Sequence, residues 1–456
     1  MSKLYFKIAV NGNLIKSFSK EAFNKTLRKY QFLLSVAMLV LFLVSCKQTN
    51  ENANAEKSDA RENNIVQKAP LSGPMSQYIE DTSIEGRKAE INEKVAKLRK
   101  SMKEKRFDAV LINKSEHFAW ITAGGDNIVT RFVESGVCNI LVTMDKLYYI
   151  CNNIEALRMV EEEFLDQLGF EARLMFWYEN RTMEFVSEIV GSGKLASDLN
   201  IPGTADANEI LLYHERVLCK NEIARYLHLG KVFSEVIESY MQTIRPGDTE
   251  IAIAGRLGAK MWENGLEPVL VLIAADERIY KHRHPIPTDK PVEKFLMICC
   301  NARYKGLITK ITRMMHFGKA SPELLEQYQQ TIDIENACAA ITRPGVDDIE
   351  ILNLCKKMYA DFGYTDMWKE HHQGGPQSYT NGFYLIQDSR HEIIRLHQPY
   401  GYNPSIRGAK YGTKTEDGFI VMEDGPLFIT YPVSFPAIRS TIDGKEYVRP
   451  GILEIE

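Results

Sequence analysis

The sequence predicts two consecutive mixed α/β domains, the second built on an internal duplication. Three observations predict it. An alternation of helical and strand-like segments begins near residue 80. An Arg-Pro-Gly helix stop at Arg245 recurs 98 residues later at Arg343. Each copy is followed by a histidine-bearing stretch, which places one polar cluster in each half of the repeat.

The first domain is expected over residues 80–215. Ile91, Val95, Leu98 and Met102 recur at helical spacing, and Asp108 to Ile112 then reads as a buried strand. Asn139 to Val142 and Leu147 to Cys151 predict two strands around a short turn. A helix is expected from about Ile154 to Leu168, stopped by Gly169, with a further strand over Glu171 to Met175. This stretch has no cluster of catalytic residue types, so it is read as a packing or specificity domain.

The second domain is expected over residues 219–456. A helical pattern from Asn221 to Ile244 runs into Arg245-Pro246-Gly247-Asp248, and a second helix ends near Gly265. In the other copy a helix from Ser321-Pro322 runs into Arg343-Pro344-Gly345, with Asp347 and Asp348 available to cap a helix ending near Gly363. Lys281 to Pro285 and Glu370 to Gly375 carry the histidines. A duplicated unit with one such cluster per copy predicts a pseudo-twofold domain with its site between the halves.

Ahead of both domains, Lys25, Arg28 and Lys29 precede an apolar run from Phe32 to Ser45 that is too short for an ordinary membrane-spanning helix. With Cys46 directly after Leu43-Val44-Ser45, residues 1–46 are similar to a bacterial lipoprotein signal in which Cys46 is lipidated. Residues 47–79 read as a disordered tether, being almost free of aromatics and poor in aliphatics. The expected location is the cell envelope, lipid-anchored to the membrane and facing the periplasm. The formal charge of −4 gives no basic footprint for nucleic acid. Seven further cysteines have no framework-like spacing and are expected to be mostly buried free thiols.

Four elements, in order, carry a family resemblance: His284-Pro285-Ile286-Pro287; Ala302 to Gly306 followed by Ile311-Thr312-Arg313; His371-His372 before Gly374-Gly375; and Thr415-Glu416-Asp417 before Glu423-Asp424-Gly425. Together they resemble the aminopeptidase P, prolidase and creatinase family, peptidase family M24. The resemblance covers about residues 80–456. It implies an α/β creatinase-like N-terminal domain, an α+β pita-bread C-terminal domain and a homodimer.

Intact members with this chemistry use two Asp, one His and two Glu to hold two divalent cations that activate a shared hydroxide. Carried over one at a time, these positions fall on Cys299, Lys310, His372, Asn403 and Glu416. Only His372 and Glu416 keep the residue type. An ammonium at Lys310 repels a divalent ion, and it is expected to pair with Glu416. No metal or other cofactor is therefore expected. Cys299 reads as a buried small hydrophobe, as a soft ligand of one zinc with His372 and Glu416, or as a nucleophile whose thiolate Lys310 favours. His284 matches the acid–base histidine of metal-free creatinase. Because neighbours on an extended segment alternate, only one of His371 and His372 is expected in the cleft, and His372 is assigned to it. Arg303 and Arg313 are candidates to hold a substrate carboxylate.

The expected function is binding of a peptide or small amide without catalysis. The alternatives are a metal-independent C–N hydrolase using His284 and a metal-dependent Xaa-Pro aminopeptidase.

Overall fold

The computed structural model describes residues 77–380 and 382–456. The apolar run, Cys46 and nearly all of the tether lie outside the described residues. No helix among the described residues is long and apolar enough to cross a membrane.

The helix Ile84–Lys105 opens the first domain, capped by the Ser83 hydroxyl on Gly86 N–H and stopped by Arg106 at φ 58°. It buries Ile91, Val95, Leu98 and Met102. These pack on a six-stranded sheet made of β1 (Ala109–Lys114), β2 (Ser135–Thr143), β3 (Leu147–Asn152), β4 (Glu171–Met175), β5 (Leu195–Ser197) and β6 (Ala205–Asp206). Its spatial order is β4-β3-β2-β1-β5-β6. The helix expected over Ile154–Leu168 is shorter, spanning Ala156–Glu161. Phe164 adopts φ 60°, a conformation no helix continues through, and only turns reach Gly169.

The second sheet holds β7 (Glu267–Ala275), β8 (Phe295–Tyr304), β9 (Leu307–Phe317), β10 (Gly374–Pro376), β11 (Pro399–Tyr402), β14 (Glu416–Met422), β15 (Gly425–Phe428) and β18 (Leu453–Ile455). Its main path runs β10-β11-β14-β9-β8-β7, with β15 on β14 and β18 on β9. Two small hairpins stand beside it: β12 (Ser405–Arg407) with β13 (Gly412–Lys414), and β16 (Ala437–Ile442) with β17 (Lys445–Pro450).

The duplication is visible in how the two helix stops dock. Lys220–Met241 is followed by Glu250–Glu263, and Pro322–Ile341 by Ile349–Asp361. Gly247 N–H donates to Val292 O in the first copy, and Gly345 N–H to Ile394 O in the second. Glu250 N–H donates to Lys290 O, and its counterpart Asp348 N–H to Glu392 O. Gly247 and Gly345 have φ +92° and +88°, a turn conformation that needs glycine. The expected cap differs: Asp347 accepts from Ile349 N–H, while the Asp348 carboxylate turns to Tyr384 and Glu392 N–H.

One apolar core extends from the first domain into the second, through Phe118, Trp120, Tyr226 and Ile311. A buried ionic cluster lies at the same junction. Lys94 pairs with Glu90 at 2.6 Å and Glu222 at 2.8 Å, and Arg225 with Glu90 at 3.0 Å and Glu80 at 2.9 Å. All seven described cysteines are free and buried.

Candidate functional site

Strand register builds the floor of the site. Cys299 on β8 lies opposite Thr312 on β9, which lies opposite Glu416 on β14. Two residues along, Asn301 faces Lys310 across the β8–β9 pair. Side chains two apart share a face, so Cys299, Lys310 and Glu416 all enter one cavity of about 540 Å³. His284, His372, Asn403, Lys414, Gly374 and Gly375 complete its polar lining, and Leu270, Leu272, Ile286 and Leu385 supply apolar wall.

Lys414, which sequence reasoning missed, takes the place expected of Lys310. Its ammonium lies 3.8 Å from the Glu416 carboxylate and donates to Cys299 Sγ at 3.3 Å. Cys299 Sγ–H donates to Glu416 Oε2 at 3.2 Å, and Thr312 Oγ–H reaches the same oxygen at 3.3 Å. Burial opposes ionisation of Glu416, but Lys414 and then Lys310 outweigh it and hold the carboxylate below its ordinary value. Burial pushes the Cys299 thiol up to about 11, so the group is a thiol at neutral pH and not the activated nucleophile. The available signal for Lys414 was its two-residue offset from Glu416.

The Lys310 ammonium has no hydrogen bond or ion pair among the described residues. Burial lowers its proton affinity, Glu416 offsets part of that effect and Lys414 adds to it. Asn403 Oδ1 and His372 Nδ1 are likewise buried without a hydrogen-bond partner.

The histidines are placed by an ion pair outside the cavity. Arg283 Nη2 bonds Glu370 at 2.6 Å, clamping the loop that carries His284 against the turn that carries His371. His284 Nε2 then lies 3.1 Å from His371 Nε2. Of the neighbours His371 and His372 only His372 lines the cavity, as assigned, although the rings do not point apart but stack at 4.3 Å. Gln373 donates to His371 O at 2.5 Å. Burial, with Lys414 second, lowers His371 to about 2; burial and Lys310 lower His372 to about 4. Burial also lowers His284.

The two candidate arginines are elsewhere. Arg303 pairs with its cross-strand neighbour Glu267 at 2.6 Å and lines a different pocket, with Arg131 and Trp262. Arg313 is fully buried on the opposite face of β9, bound to Glu238 at 2.8 Å and Asp417 at 3.0 Å. Both are engaged in structural ion pairs.

The model of metallopeptidase family M24 matches residues 224–398. That segment is an M24 domain. The chain is 21% identical over 359 residues to the Xaa-Pro dipeptidase of Pyrococcus horikoshii, covering 75% of this chain and 97% of that protein. Solved structures agree on the fold. The prolidase of P. horikoshii matches with TM-score 0.64 and 19% identity, covering 74% of this chain and 98% of its own. The Xaa-Pro dipeptidase of Bacillus anthracis matches with TM-score 0.64 and 17% identity, covering 80% and 100%. The fold is therefore the two-domain pita-bread architecture.

The residues of this M24 cavity do not fit two divalent cations held by carboxylates. Glu416 is the one carboxylate in the lining, and it is already bound by Lys414, Cys299 and Thr312. Two amines occupy the same floor, and an ammonium repels the ions that a carboxylate would bridge.

Proposed function

We propose that this M24 protein binds a peptide or small amide by its carboxylate end, without the dinuclear hydrolysis chemistry of metal-dependent members. The observation that carries the reading is Lys310, an amine with no hydrogen bond or ion pair among the described residues, in a cavity where Asn403 Oδ1 likewise has no hydrogen bond among them. A ligand carboxylate would accept from Lys310, and a ligand N–H would donate to Asn403. Lys310 thereby takes the role first assigned to Arg303 and Arg313. The names of the relatives suggest Xaa-Pro dipeptides as the first ligands to try.

Calorimetric titration with Xaa-Pro dipeptides, as free acids and as C-terminal amides, tests this. The free acid should bind more tightly, and Lys310→Met should weaken it by about ten- to a hundredfold, the range of a charge-assisted hydrogen bond. Equal affinity for acid and amide would overturn the reading.

The His284–His371 hydrogen bond favours a second reading, a metal-independent C–N hydrolase. Neutral His284 would accept a proton from attacking water. Chelator-insensitive turnover of Xaa-Pro or amidino compounds, abolished in His284→Ala, would decide for it.

The same proposal places the protein in the cell envelope, anchored through Cys46. The lipoprotein-like run Leu43 to Cys46 supports that placement. Mass spectrometry of membrane-extracted protein should find an acylated Cys46 at the mature N-terminus; an unmodified chain starting elsewhere would refute it.

A further inference from the structure

We propose that His284, His371 and His372 form a mononuclear transition-metal site, made of imidazole alone and offset from the carboxylate positions of the family. One ligand nitrogen from each of the three lies within 4.8 Å of the others. A tetrahedral ion with metal–nitrogen bonds of about 2.0–2.1 Å needs its ligand nitrogens about 3.3 Å apart. His284 Nε2 and His371 Nε2, at 3.1 Å, already stand near that separation.

The outer contacts of a metal site are present as well. A ligating histidine is commonly oriented by a hydrogen bond from its other ring nitrogen to a carbonyl. His371 Nδ1 makes that bond to His372 O at 2.5 Å, which places its proton on Nδ1 and leaves the Nε2 lone pair facing His284. His372 Nδ1 is buried with no partner. The Arg283–Glu370 pair holds the His284 loop against the turn bearing the other two.

Charge sets the limits of the site. Lys414 and Lys310 face the rings, and Glu416 offsets one of the two amines. All three ligands would be neutral, and two of them, His284 and His372, line the cavity. Imidazole donors suit zinc, copper and nickel, whereas manganese and magnesium prefer oxygen. The site should therefore take Cu(II), Ni(II) or Zn(II) and leave Mn(II) and Mg(II) in solution, the reverse of a carboxylate-rich centre. This inference does not depend on the peptide-binding reading, since none of its ligands is Lys310 or Asn403.

The experiment is titration of chelator-treated full-length protein with Zn(II), Cu(II) and Mn(II) by calorimetry. Electron paramagnetic resonance of the Cu(II) form reports the number of coordinated nitrogens. One equivalent of Zn(II) or Cu(II) should bind, with three nitrogen ligands and no matching Mn(II) isotherm. His284→Ala and His371→Ala should each weaken binding at least about tenfold. His284 is exposed, so its variant tests the site even where the buried His371 variant fails to fold. Absence of saturable binding overturns the proposal. So does binding that survives His284→Ala.

Discussion

At the scale of single residues, burial decides what each titratable group can do. Lys310 is an amine removed from water with no ion-pair partner among the described residues, so it destabilises the fold that presents it. Lys310→Met should raise the melting temperature by about a few degrees while it lowers peptide affinity, an opposition that a purely structural lysine would not produce. His117 is the contrary case. Its Nδ1 meets Glu215 at 2.5 Å and its Nε2 faces Asn208 Oδ1 at 3.3 Å, so both nitrogens point at acceptors. Burial opposes its charge, but Glu215 prevails and raises the group from 6.5 to about 9. A raised folded-state value means the contribution is complete below 6.5 and lost as pH climbs through 9. The unfolding free energy from urea titrations should therefore fall between pH 6.5 and 9, by on the order of a few kcal/mol, and His117→Gln should flatten that slope.

At the scale of elements, the cavity depends on one close backbone approach. Gly374 sits at φ +92°, and a Cβ there would meet Gly401 O at 2.2 Å and Tyr402 Cα at 2.8 Å. It opens β10, which pairs Gly374 with Tyr402 on β11 just after the histidine turn. Gly374→Ala should cost about 1–3 kcal/mol in denaturant unfolding. It should also weaken ligand binding, since β10 and β11 would separate beside His372 and Asn403. Unchanged stability and affinity would show that the strand pair yields without consequence.

At the scale of the whole molecule, the first domain contributes no residue to the cavity lining but is tied to the domain that does. Lys94 lies almost wholly buried between Glu90 and Glu222 and also donates to Trp120 O at 2.8 Å. Removing it leaves Glu90 to Arg225 and takes from Glu222 its ion-pair partner, with the Tyr379 hydroxyl and Cys219 N–H still donating to it. Lys94→Met should destabilise the protein by about 3–5 kcal/mol, and the added change Glu222→Gln should recover part of the loss. Chemical denaturation of the single and double variants measures both.

The sequence by itself determined the elements and the faces they present. Helical spacing identified Ile84–Lys105, and the Arg-Pro-Gly stops identified both helix pairs. These features are local, so spacing along the chain carries them. The assignment of Cys299, Lys310 and Glu416 to one site came from the family resemblance, and strand register sets the three on one face. Only the tertiary structure decided the partners of the charged groups. Arg303 found Glu267, Arg313 found Glu238 and Asp417, and Lys414 displaced Lys310 as the partner of Glu416. It also brought His371 beside His284, across 87 residues and through an ion pair between other side chains. Long charged side chains choose among neighbours that packing brings from distant strands and helices, and no periodicity along the chain encodes that choice.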